Sequence, residues 1–355
     1  MSKQKKTILV INEGLSDNFG DQIIKDSIIY LIKKIDFKPK FEDLTRHSKV
    51  VNHNYYEEII VKKRTFLTPL KSLVWKILWI FRNAKRITQA SLYKYDAVVI
   101  GGGQLLISNG IFPFALFVWV TALSLRNKKN IILFSVGTQG RHLGIQKFFI
   151  SRVLNKVVHA YVRDQKSKDI LINEFNKEST ITYDTAFIFN HIYKSTKKNY
   201  KYKYLMGVVD YGVYIHYKNG SPLSQNEYFD SWISYLDSQN DLHNSALIYA
   251  TPEDRSECVK IKEYIRQKFY IEIDILENND YFIFLDNLSK GKTVISGRMH
   301  SLILSRVLQK QIMGYPISEK VTSFINIIKR KNDIDKIQES LINDFKNAIS
   351  AVSQK

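Results

Sequence analysis

The segment Thr293–Ser301, with the sequence TVISGRMHS, contains the unit from which the fold is built. Three β-branched residues and a serine end at Gly297, and Met299–Leu308 then follows with helical spacing. A strand that leads through a glycine turn into a helix is the βα unit of a parallel sheet. The segment therefore predicts one βα unit, and similar units recur along the chain.

Short apolar runs alternate with helix-period runs in both halves of the sequence. The predicted strands are Lys6–Asn12, Asp96–Ile100, Asn130–Val136, Val157–Val162, Thr180–Tyr183, Leu205–Asp210, Ala246–Tyr249, Ile271–Leu276, Thr293–Ser296 and Gln311–Tyr315. Helical spacing covers Asp21–Ile35, Gln165–Phe175 and Glu253–Lys268. The alternation predicts an α/β protein with parallel sheets, as two Rossmann-like doubly wound domains that face a cleft.

A polar, basic stretch divides the two series of strands. It runs from Asn190 to Tyr204 with the sequence NHIYKSTKKNYKYKY. We predict a first domain over residues 1–192, a linker over 193–204 and a second domain over 205–355. Whether the helices of Glu319–Lys355 pack back on the first domain stays open at this point.

Composition and charge narrow the classes of partner. The net charge of +19 favours nucleic acid, an anionic membrane or phosphorylated small molecules. The sequence has no zinc-finger spacing, RNA-binding aromatic signature or basic-region heptad, so we expect no nucleic-acid partner. It also has no metal-ligand cluster of recognisable spacing, so we expect neither metal nor cofactor.

Two features of the sequence indicate a cytoplasmic location. The single cysteine, Cys258, cannot form an intramolecular disulfide, so the composition does not require an oxidising compartment. The N-terminal MSKQKKTILVINEG has only a short apolar run, which favours a first strand over a signal peptide.

The most membrane-like segment is FLTPLKSLVWKILWIF at Phe66–Phe81. Pro69, Lys71 and Lys76 interrupt it, and it is too short for a membrane span. A helix packed in the core and a helix lying at the surface of a membrane both fit this pattern. The second alternative predicts peripheral contact with an anionic membrane.

Four turns at predicted strand ends carry polar residues. They contain Asn18, Gly20 and Asp21; Gly101, Gly102, Gly103 and Gln104; Gly137 and His142; and Arg163 and Asp164. Ligands of open α/β sheets bind outside the carboxyl ends of the strands, so each turn is a candidate binding site. A capped structural turn, close glycine packing, a solvated histidine and an Arg–Asp pair explain the same residues without a ligand.

The fifth turn holds the strongest candidates. Arg298 and His300 lie in the first turn of a predicted helix, where free N–H groups and the helix dipole favour an anion. Two basic residues at this position oppose the usual preference for acidic ones, which indicates a functional site. The arrangement predicts an anion site with a histidine available for proton transfer.

Taken in order, several segments resemble the polysaccharide pyruvyl transferase family. They are DNFGDQIIKDSI at Asp17–Ile28, YDAVVIGGGQLL at Tyr95–Leu106, FSVGTQG at Phe134–Gly140, VRDQKSKDIL at Val162–Leu171, YDTAF at Tyr183–Phe187, SGRMHSLILS at Ser296–Ser305 and GYPISEKVTSF at Gly314–Phe324. The chain departs from the family pattern at two places. The usual four-glycine run is here three glycines followed by Gln104, and Met299 replaces the commoner leucine.

The resemblance implies a two-domain fold similar to GT-B glycosyltransferases and a role in capsular, exopolysaccharide or cell-wall glycan synthesis. Phosphoenolpyruvate would be the donor, and two hydroxyls of a sugar, free or lipid-linked, would receive the pyruvyl group as a cyclic ketal. A lipid-linked acceptor would place the protein on the inner face of the cytoplasmic membrane. A glycosyltransferase that uses a nucleotide sugar is the alternative, because the same two-domain architecture and glycine turns would serve it.

Residue roles follow from the same resemblance. We expect His300 and Arg298 to be catalytic. The expected donor-binding residues are Arg163, Arg298, Gly297, Ser301, Gly137 and Lys320. The expected substrate-binding residues are Asn18, Gly20, Asp21, Gly101, Gly102, Gly103, Gln104, His142, Asp164 and Asp184.

Overall fold

The computed structural model of the chain describes residues 5–46, 68–108, 110–127, 130–193, 200–217, 221–330 and 333–353. Contacts between residues divide the chain into two compact units. The first comprises residues 1–16, 24–185 and 335–355, and the second comprises residues 17–23 and 186–334.

The strands of the described residues are short and mostly apolar. They are β1 (Thr7–Asn12), β2 (Lys38–Asp43), β3 (Ala97–Gly101), β4 (Leu106–Ile107), β5 (Ile131–Val136), β6 (Thr138–Gln139), β7 (His159–Val162), β8 (Thr180–Ile181), β9 (Tyr202–Gly207), β10 (Ser245–Leu247), β11 (Asp274–Ile275), β12 (Gly291–Ser296) and β13 (Gln311–Gly314).

Helices occupy most of the intervals between the strands. They are α1 (Phe19–Lys34), α2 (Thr68–Ser91), α3 (Phe112–Asn127), α4 (Gly144–Leu154), α5 (Gln165–Phe175), α6 (Tyr211–Tyr217), α7 (Gln225–Ile233), α8 (Pro252–Phe269), α9 (Tyr281–Ser289), α10 (Met299–Val307), α11 (Glu319–Arg330) and α12 (Ile334–Ser353). Short 3₁₀ helices cover Thr185–His191 and Gln239–Asn244.

The first unit contains a six-stranded sheet in the order β2-β1-β3-β5-β7-β8, and all of its pairs are parallel. Strands β3 and β5 are buried along their whole length, as expected for a parallel sheet covered on both faces. A separate pair, β4 with β6, is also parallel.

One face of this sheet carries helices α2, α3 and α4. The connections β2–α2–β3, β3–α3–β5 and β5–α4–β7 all advance in the same direction across the sheet. Right-handed crossovers therefore place the three helices in one layer, and α5 of the β7–α5–β8 connection continues it. Trp79, Trp119 and Ile150, one from each helix, lie in a single apolar core cluster.

Helix α12 belongs to the first unit although it comes last in the chain. The ring of Phe345 packs 5.0 Å from that of Phe134 on β5. Thr182 Oγ1 donates a hydrogen bond of 2.7 Å to Asp344. The two units therefore differ from the domains predicted from the sequence at residues 17–23, 186–192 and 335–355.

The second unit contains a five-stranded parallel sheet in the order β11-β10-β9-β12-β13. Strand β9 begins at Tyr202, inside the stretch predicted as linker, while residues 194–199 of that stretch lie outside the described residues. Two parallel α/β sheets confirm the predicted fold class.

Candidate functional site

The turn after β12 in the second unit holds the residues expected to be catalytic. Arg298 is the N-cap residue of α10, and its N–H donates to Ser296 Oγ at 3.0 Å. A Cβ on Gly297 would lie 2.8 Å from Val209 and 3.3 Å from Ile317, so this position has no room for a side chain. The start of α10 therefore presents backbone N–H groups at a closely packed turn.

Arg298 is held by a carboxylate that the sequence analysis did not identify. Its Nε and Nη2 donate to the two oxygens of Asp254 at 2.9 and 2.6 Å, a bidentate pair. Asp254 is 1% exposed, and it also accepts the N–H of Asp210 at 3.0 Å. The guanidinium, whose side chain is 30% exposed, therefore has a fixed direction.

Asp254 lies in the first turn of α8. Thr251 is the N-cap of this helix, Pro252 follows it, and the N–H of Asp254 donates to Thr251 Oγ1 at 3.3 Å. The sequence Thr-Pro-Glu-Asp is a recognisable helix start. It gives no sign that Asp254 contacts Arg298, because the two residues are 44 positions apart.

The turn at residues 17–21 meets His300 within the second unit. A Cβ on Gly20 would lie 2.2 Å from His300 Nδ1, so only glycine leaves space for the imidazole. The N–H of Gly20 donates to Asn18 Oδ1 at 2.9 Å, and the N–H of Phe19 donates to Ala250 O at 3.3 Å. The structure thus brings the predicted residues Asn18 and Gly20 to the predicted catalytic histidine, with Asp21 in the same turn.

Tyr315 directly follows β13, the strand that pairs with β12. Its N–H donates to Ser296 O at 2.9 Å, and its ring stacks on Trp232 with centroids 4.0 Å apart. Burial raises the pKa of Tyr315 to about 12, so the phenol stays neutral at ordinary pH. The side chain of Ser301 is buried in the first turn of α10. The side chain of Lys320, also expected at the donor, lies outside the described residues.

The glycine run of the first unit is closely packed. Gly102 and Gly103 both have a φ of +72°, in the region that favours glycine. A Cβ on Gly102 would lie 1.9 Å from Ile24 Cγ2, and a Cβ on Gly101 would lie 2.9 Å from Phe134 O. Packing therefore requires glycine here, and Gln104 follows the run half-buried.

Arg163 forms a buried pair with Asp184 in the first unit. Nη1 donates to Asp184 at 2.8 Å, and each side chain is 5% exposed. Asp164, the neighbour in sequence, lies 3.8 Å from Nε and caps α5 through the N–H of Ser167. A Cβ on Gly137 would lie 2.7 Å from Arg163 Nε. Gly137, Arg163 and Asp184, which were expected to bind the donor or the substrate, thus meet at the guanidinium of Arg163.

His142 lies in the interior of the same unit. It is 1% exposed, with Nδ1 3.0 Å from Glu174 Oε2 and Nε2 3.2 Å from Leu106 O. The ring packs edge-on against Phe175. These contacts attach the loop after β6 to α5. Within the described residues, no group of three or more His, Cys, Asp or Glu side chains is arranged to hold a metal.

A family model described as polysaccharide pyruvyl transferase matches residues 18–318 of the chain. No curated protein sequence matches it significantly.

Three solved structures resemble the chain in fold. UDP-GlcNAc 2-epimerase from Methanocaldococcus jannaschii is 10% identical, with a TM-score of 0.51 over 90% of this chain and 92% of that one. A Listeria monocytogenes protein provisionally assigned as a UDP-N-acetylglucosamine 2-epimerase is 12% identical, with a TM-score of 0.57 over 99% and 91%. An α,α-trehalose-phosphate synthase (UDP-forming) from Burkholderia vietnamiensis is 8% identical, with a TM-score of 0.53 over 99% and 95%. These GT-B neighbours support the fold alone.

Proposed function

Since the chain belongs to the polysaccharide pyruvyl transferase family, we propose that it transfers pyruvate from phosphoenolpyruvate to two hydroxyls of a sugar in a glycan precursor, forming a cyclic ketal. The observation that carries this proposal is the turn at Arg298 and His300. There a guanidinium of fixed direction and an imidazole lie together at a helix N-terminus. The family match covers this turn and confirms the resemblance found in the sequence.

The reaction balances without a cofactor. A proton adds to the methylene carbon of phosphoenolpyruvate, which leaves positive charge on the carbon that bears the phosphate. The oxygen of one sugar hydroxyl bonds to that carbon, and the carbon–oxygen bond to phosphate breaks. The second hydroxyl then bonds to the same carbon. Of the two hydroxyl protons, one replaces the proton taken up by the new methyl group and the other leaves on phosphate.

We assign the proton transfer to His300. An imidazole titrates near neutral pH, so it can both donate and accept a proton, which accelerates a reaction by roughly 10²–10⁴-fold. Gly20 sets the space beside Nδ1, so the ring position depends on the turn at residues 17–21. Asn18 and Asp21 of that turn are proposed to bind the acceptor sugar.

Arg298 is proposed to bind the phosphate or carboxylate of the donor. The bidentate pair with Asp254 holds the guanidinium at the N-terminus of α10, where the positive charge and the helix N–H groups together favour an anion. Arg163, Gly137, Gly297, Ser301 and Lys320 stay predicted donor contacts. The glycine run, Gln104, His142, Asp164 and Asp184 stay predicted parts of the substrate site or of its support.

We further propose that the reaction takes place in the cytoplasm, on a sugar of a capsular, exopolysaccharide or cell-wall precursor. The acceptor to test first is a lipid-linked one. An assay with a lipid-linked acceptor also tests whether the protein binds the inner face of the cytoplasmic membrane.

The test is to incubate the purified protein with phosphoenolpyruvate and a panel of glycan precursors, and to measure phosphate release and product mass. We expect both signals with one acceptor and neither with His300→Asn. Phosphate release at the wild-type rate in His300→Asn would refute the role of His300. Thermal stabilisation by UDP- or GDP-sugars but not by phosphoenolpyruvate would instead support a glycosyltransferase.

A further inference from the structure

Helix α2 of the first unit exposes a face of large apolar side chains. Phe81 is 77% exposed, and Val74 and Trp75 are 48% and 44% exposed. The apolar face of α2, as the term is used below, comprises the exposed residues Leu73, Val74, Trp75, Ile77, Leu78, Ile80 and Phe81. Seven large apolar side chains in nine successive positions form a patch that monomeric soluble proteins rarely leave in water.

The opposite side of α2 holds the helix on the protein. Trp79, Asn83, Arg86 and Ile87 are buried, and an α-helix turns about 100° per residue, which places them away from the apolar face. Trp79 Nε1 donates to Thr45 O at 2.8 Å. Arg86 bonds Glu42 and two backbone carbonyls, and burial lowers the pKa of its guanidinium. The helix is thus anchored mainly by the side opposite the apolar face.

The helix that carries this face and the two helices nearest to it in the layer have basic charges only. Helices α2, α3 and α4 contain no aspartate or glutamate, whereas α5, at the far edge of the layer, contains Asp169 and Glu174. The basic residues of α2, α3 and α4 are Lys71, Lys76, Arg82, Lys85, Arg126, Lys147 and Arg152, besides Arg86, which is buried against Glu42. Arg82 and Lys85 are exposed where the apolar face of α2 ends. At the start of α4, Ile145 and Phe148 add further exposed apolar surface.

We propose that the apolar face of α2, with the basic residues of the same helix layer, docks the protein on an anionic lipid bilayer. An amphipathic helix whose aromatic and aliphatic side chains enter the headgroup region, with lysine and arginine at its borders, binds anionic membranes in this way. A second copy of the same layer would bring like charges together, which disfavours self-association through it. No helix of the described residues is long and apolar enough to cross a bilayer.

Trp75 gives a direct readout of this docking. Of the four tryptophans, Trp79, Trp119 and Trp232 are buried and Trp75 is exposed. With vesicles that contain phosphatidylglycerol, we expect a blue shift of Trp75 emission and quenching by acyl-chain doxyl lipids. Trp75→Phe should remove that quenching while the protein still sediments with the vesicles.

Two surface variants test the proposal against matched controls. Val74→Glu/Phe81→Glu should lower vesicle partitioning about tenfold or more, since two apolar contacts become charges. Val259→Glu/Tyr270→Glu changes residues of similar exposure, 48% and 91%, in the second unit and should leave partitioning unchanged. Arg82→Glu/Lys85→Glu should weaken binding to anionic vesicles. Raising salt from about 0.1 to 1 M shortens the screening length from about 10 to 3 Å and should also weaken it.

Several outcomes would overturn the proposal. Equal sedimentation with neutral phosphatidylcholine vesicles would show that charge does not contribute to vesicle binding. If folded Val74→Glu/Phe81→Glu partitions to vesicles as the wild type does, the apolar face of α2 does not contribute to vesicle binding. If the wild type forms a dimer that Val74→Glu/Phe81→Glu dissociates, and the wild type does not bind vesicles, the apolar face of α2 binds a second copy of the chain. The proposal is independent of pyruvyl transfer, so the variant should keep wild-type turnover with a water-soluble acceptor whether or not the wild type binds vesicles.

Discussion

Replacing Asp254 tests whether this buried carboxylate orients the guanidinium of Arg298. Asp254→Asn keeps the shape and one oxygen for the N–H of Asp210, but it loses the charge that receives Nε and Nη2 of Arg298. Breaking a fully buried ion pair costs about 3–5 kcal/mol. Because the Arg298 side chain is 30% exposed and can be hydrated, we expect a loss of about 2 kcal/mol for this variant.

Asp254→Ala should cost more than Asp254→Asn. It also leaves the Asp210 N–H without its acceptor, which adds about 1 kcal/mol. Urea denaturation followed by circular dichroism would give the two shifts in midpoint. In folded protein, we expect Asp254→Asn to lower kcat/KM for phosphoenolpyruvate about 10²-fold, because a displacement of about 1 Å at a catalytic group has an effect of this size.

Glu257→Gln is the matched control. Glu257 is equally buried on the next turn of α8, but it accepts from Gln225 and Lys260 and not from Arg298. It should lose stability with little change in kcat/KM of the folded protein. Wild-type stability and kcat/KM in Asp254→Asn would show that Asp254 does not orient Arg298, as would an equal loss of activity in Glu257→Gln.

Three further predictions concern single positions. Gly20→Ala should lower kcat at least tenfold by displacing His300, and it should have no further effect in a His300→Ala background; additive losses would contradict this. Cys258 is fully buried and burial raises the pKa of its thiol, so native protein should react with a thiol reagent only as fast as it unfolds; rapid labelling would contradict this. Hydrogen bonds from Arg255 lower the pKa of Glu277, so this pair stabilises above the unfolded pKa near 4.3 and the effect is lost as the pH falls through the folded pKa. Glu277→Gln should therefore lower stability by about 0.5 kcal/mol at pH 7, a half-exposed pair being weak, and the difference in urea midpoint should disappear as the pH falls through the folded pKa; a difference independent of pH would contradict this.

The buried strands could be predicted because their apolar character is local. Ile131–Val136 and Gly291–Ser296 lie within a residue or two of the predicted bounds. Lys38–Asp43 escaped prediction because it pairs only with β1 and its residues are mostly polar and partly exposed. An edge strand of this kind lacks the apolar pattern that marks a buried one.

The candidate site was predictable only in part, for a similar reason. The turn at Gly297–His300 has a local signature, a strand followed by glycine and a helix start. The partners of its side chains come from distant positions, as Asp254 does for Arg298. In the first unit, Arg163 bonds Asp184 at 2.8 Å while the adjacent Asp164 lies 3.8 Å away. Sequence neighbours alone do not identify ion pairs that tertiary packing selects.

The most direct test of the proposed function follows one carbon atom. Phosphoenolpyruvate labelled with ¹³C at the carbon that bears the phosphate would be incubated with the protein and the acceptor found in the panel. We expect a labelled ketal carbon whose NMR couplings reach two positions of the same sugar, and no such product with His300→Asn. Label that ends in free pyruvate, in an enolpyruvyl ether or in unchanged donor would rule out ketal formation by this protein.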